Sequence, residues 1–78
     1  MYTVFEVQIS GELDPAKVDA YSRAVQMTAT QRHDGDTEVC LFYSSYSDEL
    51  RVLLDTDPNI INYRDVGTAD EYGRIARG

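Results

Sequence analysis

The chain has 78 residues, with 14 acidic against 7 basic side chains and a net charge of −7. Affinity for nucleic acid or for an anionic membrane comes from Lys and Arg, so direct binding to either is not expected. No stretch approaches the ~20 consecutive apolar residues of a membrane span.

Tyr2 to Ser10 alternates. Thr3, Phe5, Val7 and Ile9 share one face; Val4, Glu6, Gln8 and Ser10 share the other. This is a strand with one buried and one wetter face. Asp14-Pro15 then reads as a helix start, with Asp14 capping the free N–H groups and Pro15 in the first position. Val18, Tyr21, Val25 and Thr28 recur at helical spacing, which predicts a helix from Pro15 to Arg32 ended by Gly35. His33, the only histidine, falls near the end of that helix. Cationic side chains are favoured there.

Asp36 to Asp55 is expected to be a β-hairpin. Val39, Leu41 and Tyr43 line one face of its first strand, and Cys40, Phe42 and Tyr46 the other. Both faces are apolar, so cover is expected on both, a second subunit being one source. Ser44 to Asp48 supplies the turn, with Tyr46 at its tip, and Leu50, Val52 and Leu54 continue on the return strand. Beyond the Asp57-Pro58 turn, Ile60 to Tyr63 is open between helix and strand. Thr68 to Glu71 fits a capping box for a helix at Ala69 to Arg77.

The expected element order is β-α-β-β-α in one domain, residues 1–78. This order belongs to an α+β two-layer sandwich containing a split β-α-β, the ferredoxin-like half-plan, with helices on one face of a small antiparallel or mixed sheet. Phe5, Val7, Ile9, Val18, Tyr21, Val25, Leu41 and Val52 are expected in one core. Small dimeric monooxygenase-like α+β barrels and acidic regulators of recombination enzymes share this order.

No motif carries chemistry. Asp55-x-Asp57-x-Asn59 resembles the opening of a calcium loop, but Ile60 stands where the loop needs Gly and Val66 where it needs Glu. Asp34-x-Asp36-x-Glu38 reads as a solvated turn. The serines at 44, 45 and 47 lack a nucleophile elbow. No cofactor and no metal is expected. Cys40 is the only cysteine, which rules out an internal disulfide and leans towards a reducing compartment. The N-terminus, MYTVFEVQIS, lacks the basic and apolar regions of a secretory signal. A cytoplasmic location follows as the expectation.

Function is read from charge. Between Asp34 and Glu71 stand ten acids and two bases, Arg51 and Arg64. An acidic face prefers a basic partner and speeds its association. The expected function is a small acidic protein-binding module, an inhibitor or adaptor docking on a basic surface of a larger protein. That surface is itself expected to bind nucleic acid in one version, with carboxylates imitating a few phosphates. Phage-encoded anti-defence proteins and immunity-type inhibitors share this size and charge, which is analogy alone. The partner-contact residues expected are Asp34, Asp36, Glu38, Tyr46, Asp48, Glu49, Asp55 and Asp57. A homodimer is a further expectation, because so small a core gains from association. The alternative is a small dimeric α+β-barrel enzyme acting on a small molecule.

Overall fold

The strand Tyr2–Ser10 (β1) forms where its alternation predicts, and it lies at the centre of the molecule. In the computed structural model, which describes residues 1–76, β1 is flanked by Thr37–Ser44 (β3) and Ile60–Ala69 (β4). Met27–Asp34 (β2) lies outside β3, and Ile75–Ala76 (β5) outside β4. The sheet order is β2-β3-β1-β4-β5, and every neighbouring pair is antiparallel. Two short helices, Val18–Ala24 (α1) and Ser47–Thr56 (α2), connect β1 to β2 and β3 to β4. No described helix is long and apolar enough to cross a membrane.

The expected β-α-β-β-α ferredoxin-like half-plan is therefore overturned. Strand dominates, and the five-stranded antiparallel sheet curls. Three local differences account for this. The helix expected to run to Arg32 ends at Ala24, and its second half is β2. Met27 to Thr30 alternates with β-branched threonines, and Asp34-Gly35 turns the chain back. That two-residue loop, Gly35-Asp36, has Gly35 at φ +63° and no other positive φ. Glycine at the first loop position gives the hairpin turn that matches strand twist. His33 consequently lies on β2, not at a helix end.

The return strand expected at Leu50 to Leu54 is α2. Asp48 and Glu49 occupy its first turn, where carboxylates favour the positive helix end. Leu50, Leu53 and Leu54 are buried while Val52 is 62% exposed. That spacing is helical, not alternating. The C-terminal helix is absent over its described part: Thr68 and Ala69 pair with Ala76 and Ile75, and Arg77 lies outside the described residues. At Ile60 to Tyr63 the open choice resolves as strand.

The core is double. On one sheet face Phe5, Val7, Ile9, Cys40 and Phe42 meet Tyr21 and Ala24 of α1 and Leu50, Leu53 and Leu54 of α2. Phe5 packs edge-on against Tyr63 with ring centroids 6.1 Å apart. Val18, expected in this core, is 49% exposed because α1 turns it outward. On the opposite face Val4, Leu41, Tyr43 and Ala69 form a second cluster with Tyr2, Met27, Val66 and Ile75 beside it. Leu41 belongs here, not with Phe5. The doubly apolar β3 is thus covered on its second side by the chain's own curled β4–β5 edge. Bulges in the β1–β4 pairing, at Val4/Phe5 and Gln8/Ile9, supply the bend.

Candidate functional site

The antiparallel path divides the molecule into two ends, and the expected contact residues are distributed between them. At one end the Gly35-Asp36 loop lies against the end of β1: the Gly11 N–H donates to the Asp36 carbonyl at 2.9 Å. The Ser10 N–H donates to the Asn59 carbonyl at 2.8 Å. Asp34, Asp36, Glu38 and Asp57 therefore share this end with Glu12 and Asp14. Asp34 and Asp36 are exposed and Glu38 is half-buried. At the other end stand Tyr46, Asp48 and Glu49, all exposed around the start of α2. The run of β3 from Glu38 to Ser44 separates the two groups by ~20 Å at ~3.3 Å per residue. Tyr46 caps no hairpin; it precedes α2 and is 57% exposed. Glu49 lies 3.8 Å from Arg23.

Asp55 and Asp57 differ from the rest. Asp55 is on the last turn of α2 and accepts a hydrogen bond from the Tyr63 hydroxyl, which pushes the Tyr63 phenol above its ordinary range. Asp57 is only 4% exposed. Its Oδ2 accepts from the Asp14 N–H at 3.0 Å and the Tyr21 O–H at 2.8 Å, and its Oδ1 from the Asn59 N–H at 2.8 Å. Burial pushes its carboxyl up, but the two backbone donors and the phenol outweigh that and hold it below the ordinary carboxylate range. Tyr21 is raised, by burial first and then by its bond to Asp57. Asp57 thus ties the C-terminal end of α2 to α1 from inside the fold. The calcium-like spacing around it is an Asx turn whose donors are the chain's own.

A groove of about 520 Å³ opens between α1 and the β2–β3 part of the sheet. It exists because α1 has only seven residues, too few to cover β2. Ile9, Leu13, Val18, Val25, Cys40 and Phe42 give it an apolar lining. Thr28 and Thr30 of β2 form its outer wall, and Glu12 and Glu38 bring carboxylates to it. Strand geometry explains the cluster. Glu38 and Cys40 are two apart on β3 and point the same way, and Thr30 is the cross-strand partner of Cys40. The Thr30 hydroxyl donates to Glu38 Oε1 at 2.9 Å and the Cys40 thiol donates to the same atom at 3.0 Å. The thiol bond first, and the hydroxyl second, lower the Glu38 carboxyl below its ordinary range. Burial, reinforced by Glu38, pushes the Cys40 thiol up to about 12. At neutral pH the pair is a carboxylate beside a protonated thiol. Such a thiol is a hydrogen-bond donor, not a nucleophile.

Sequence reading missed the groove. The helical spacing from Val18 to Thr28 places Thr28 and Thr30 on a helix, and nothing in the local sequence brings them or Glu12 to Glu38. The findable signals were the alternation of Met27 to Thr30 and the Asp-Gly pair after it. Tyr43 is buried in the second cluster, while Tyr72 is 76% exposed.

No protein-family model matches this chain, and no curated protein and no solved structure is similar enough to match it.

Proposed function

We propose that this chain is a small acidic binding module, an inhibitor or adaptor that docks on a basic segment of a larger protein through the groove between α1 and β2. The groove itself carries the reading. It offers apolar floor to exclude water, and Glu12 and Glu38 to select a cation. Asp34 and Asp36, exposed at the same end, extend the negative field. An apolar recess with a few placed polar groups is the usual form of a binding site. Asp48, Glu49 and Tyr46 lie at the far end and would steer a partner without touching the segment in the groove. A cytoplasmic setting goes with this reading, supported by a lone unpaired cysteine.

The test compares three immobilised proteins in lysate capture: the natural chain, a Glu12→Lys/Glu38→Lys variant, and an Asp48→Lys/Glu49→Lys variant. The reading expects a basic protein held by the first and third and lost by the second. Association of the captured protein, purified, should slow as salt rises, because the field is screened over ~8–10 Å. Capture of an acidic protein, or capture indifferent to Glu12 and Glu38, would sink it.

A further inference from the structure

We infer that the partner segment binds as an added β-strand on Met27–Thr30 of β2, a mode that rests on the groove being the docking site. Among the described residues, the sheet order leaves β2 with a neighbour on one side only. From Thr28 to Asp34 every residue of β2 is exposed, and Met27 is half-buried. The backbone donors and acceptors on its outer side therefore face solvent, as a template for another strand. Natural edges are blunted by proline, charge or bulges. Here those devices are unevenly placed. The bulge between Thr30 and Arg32 breaks the regular edge, and Arg32 and Asp34 follow it. Met27 to Thr30 is regular, uncharged and free of proline. This is also the stretch whose Thr28 and Thr30 wall the groove.

A strand added there places every second side chain on the groove face. Backbone hydrogen bonds then supply affinity and alternate side chains supply specificity. The side chains nearest Val25 and Phe42 should be apolar, and one reaching Glu38 should be Lys or Arg. A second copy of this chain is the other conceivable strand donor. It is disfavoured because each copy carries a net charge of −7. Its own β2 would also present threonines, not apolar side chains, to the groove.

The test titrates isotope-labelled protein with a synthetic peptide, Thr-Lys-Thr-Val-Thr-Val-Thr-Lys-Thr, capped at both ends. Its palindromic sequence reads alike in either strand direction, and one face carries only Lys and Val. The inference expects amide shifts at Met27 to Thr30 and around Glu38, with slowed hydrogen exchange in β2. Two N-methylated forms decide the mode. One is methylated on both valine nitrogens, the other on the three central threonine nitrogens. Along a strand, successive N–H groups point to opposite sides, so one form should lose at least about tenfold in affinity, the worth of one or two hydrogen bonds, while the other binds nearly as the parent does. Equal binding of both forms, lost on Glu38→Gln, would overturn strand addition and leave the docking reading standing. No shift in β2 at millimolar peptide also overturns strand addition. If capture by the natural chain is then indifferent to Glu12 and Glu38 as well, the docking reading falls with it. A concentration-dependent dimer with protected β2 amides in the absence of peptide would assign the edge to a second copy and refute the inference.

Discussion

Replacing Asp57 with alanine separates a structural carboxylate from a contact carboxylate. The side chain accepts three hydrogen bonds, from Asp14 and Asn59 backbone N–H groups and from the Tyr21 hydroxyl. Bonds to a charged acceptor contribute ~1.5–3 kcal/mol each, but bonds sharing one carboxylate do not add in full. The two backbone donors are part-buried, so water reaches them once the carboxylate is gone. The Tyr21 hydroxyl is buried and keeps only a long contact, 3.4 Å, to the Leu53 carbonyl. A net loss of about 3 kcal/mol follows, most of it from Tyr21 and from the broken link between helices. A chain of this length has about 4–12 kcal/mol in total. The melting temperature should fall by about 12–24 °C, at about 4–8 °C per kcal/mol for a domain of this size. Circular dichroism during heating and urea titration measures both. An exposed contact residue away from a helix end would change stability by no more than ~0.5 kcal/mol. A loss below about 1 kcal/mol would therefore refute the structural role of Asp57 and return it to the set of surface acids.

The charge part of the effect has a pH signature. Asp57 is held below its ordinary range in the folded state, burial being outweighed by its three donors. Its stabilisation is then fully present above the unfolded carboxylate value, ~3.9, and is lost as pH falls through the folded value. The natural chain and Asp57→Asn should differ at neutral pH and converge in acid. A gap that persists unchanged to pH 2 would contradict the assignment.

Other outcomes follow from the same geometry. Leu50→Ala should cost about 2–5 kcal/mol in urea denaturation and Val52→Ala under about 0.5, since one is fully buried and the other exposed; equal losses would restore the strand reading of 50–54. Cys40 should be alkylated far more slowly at pH 8 in the native chain than in urea, because its thiol is pushed up to about 12 by burial first and Glu38 second. Glu38→Gln should speed that reaction only in part. Above pH ~10 stability should decline in the natural chain, as Tyr21 ionises more readily once unfolded, and Tyr21→Phe should flatten that decline, because burial and Asp57 raise its phenol in the fold. Asp48→Lys/Glu49→Lys should lower stability by about 0.3–1 kcal/mol per site through the positive end of α2, measured in the same melts.

How much of this was legible in the chain depends on where a local signal agreed with its tertiary setting. β1 was legible because its alternation is strict and its Phe5, Val7, Ile9 face is buried. The Asp14 cap was legible too: its Oδ1 accepts from the Ala16 N–H at 3.0 Å. At Leu50 to Leu54 the two periods compete, since Leu50 and Leu54 are buried under either. Only the burial of Leu53 against the exposure of Val52 decides, and that belongs to packing. Val18, Tyr21 and Val25 extended a helical spacing into Thr28 by coincidence, which concealed the edge strand. Thr68-Ala69-Asp70-Glu71 fits a capping box, yet pairing to β1 and β5 outweighs that local preference.

The candidate site was illegible for a related reason. Net charge is additive along a sequence, whereas a field depends on position. Reading ten acids between Asp34 and Glu71 as one surface assumed that the stretch folds back on itself as a hairpin. Making Ser47–Thr56 a helix and Met27–Asp34 a strand moves the turn from Ser45 to Gly35. The acids of 34–38 then meet Glu12 and Asp14, which the sequence places far away, while Asp48 and Glu49 go to the opposite end. The same rearrangement brings Thr30 beside Cys40 and Glu38 and leaves β2 as an open edge. On the proposed reading, recognition depends on a strand pairing, β2 with β3, in which most of β2's side chains stay exposed. That reading makes the backbone edge of β2 and the short α1 beside it, not the count of carboxylates, the features that position a partner.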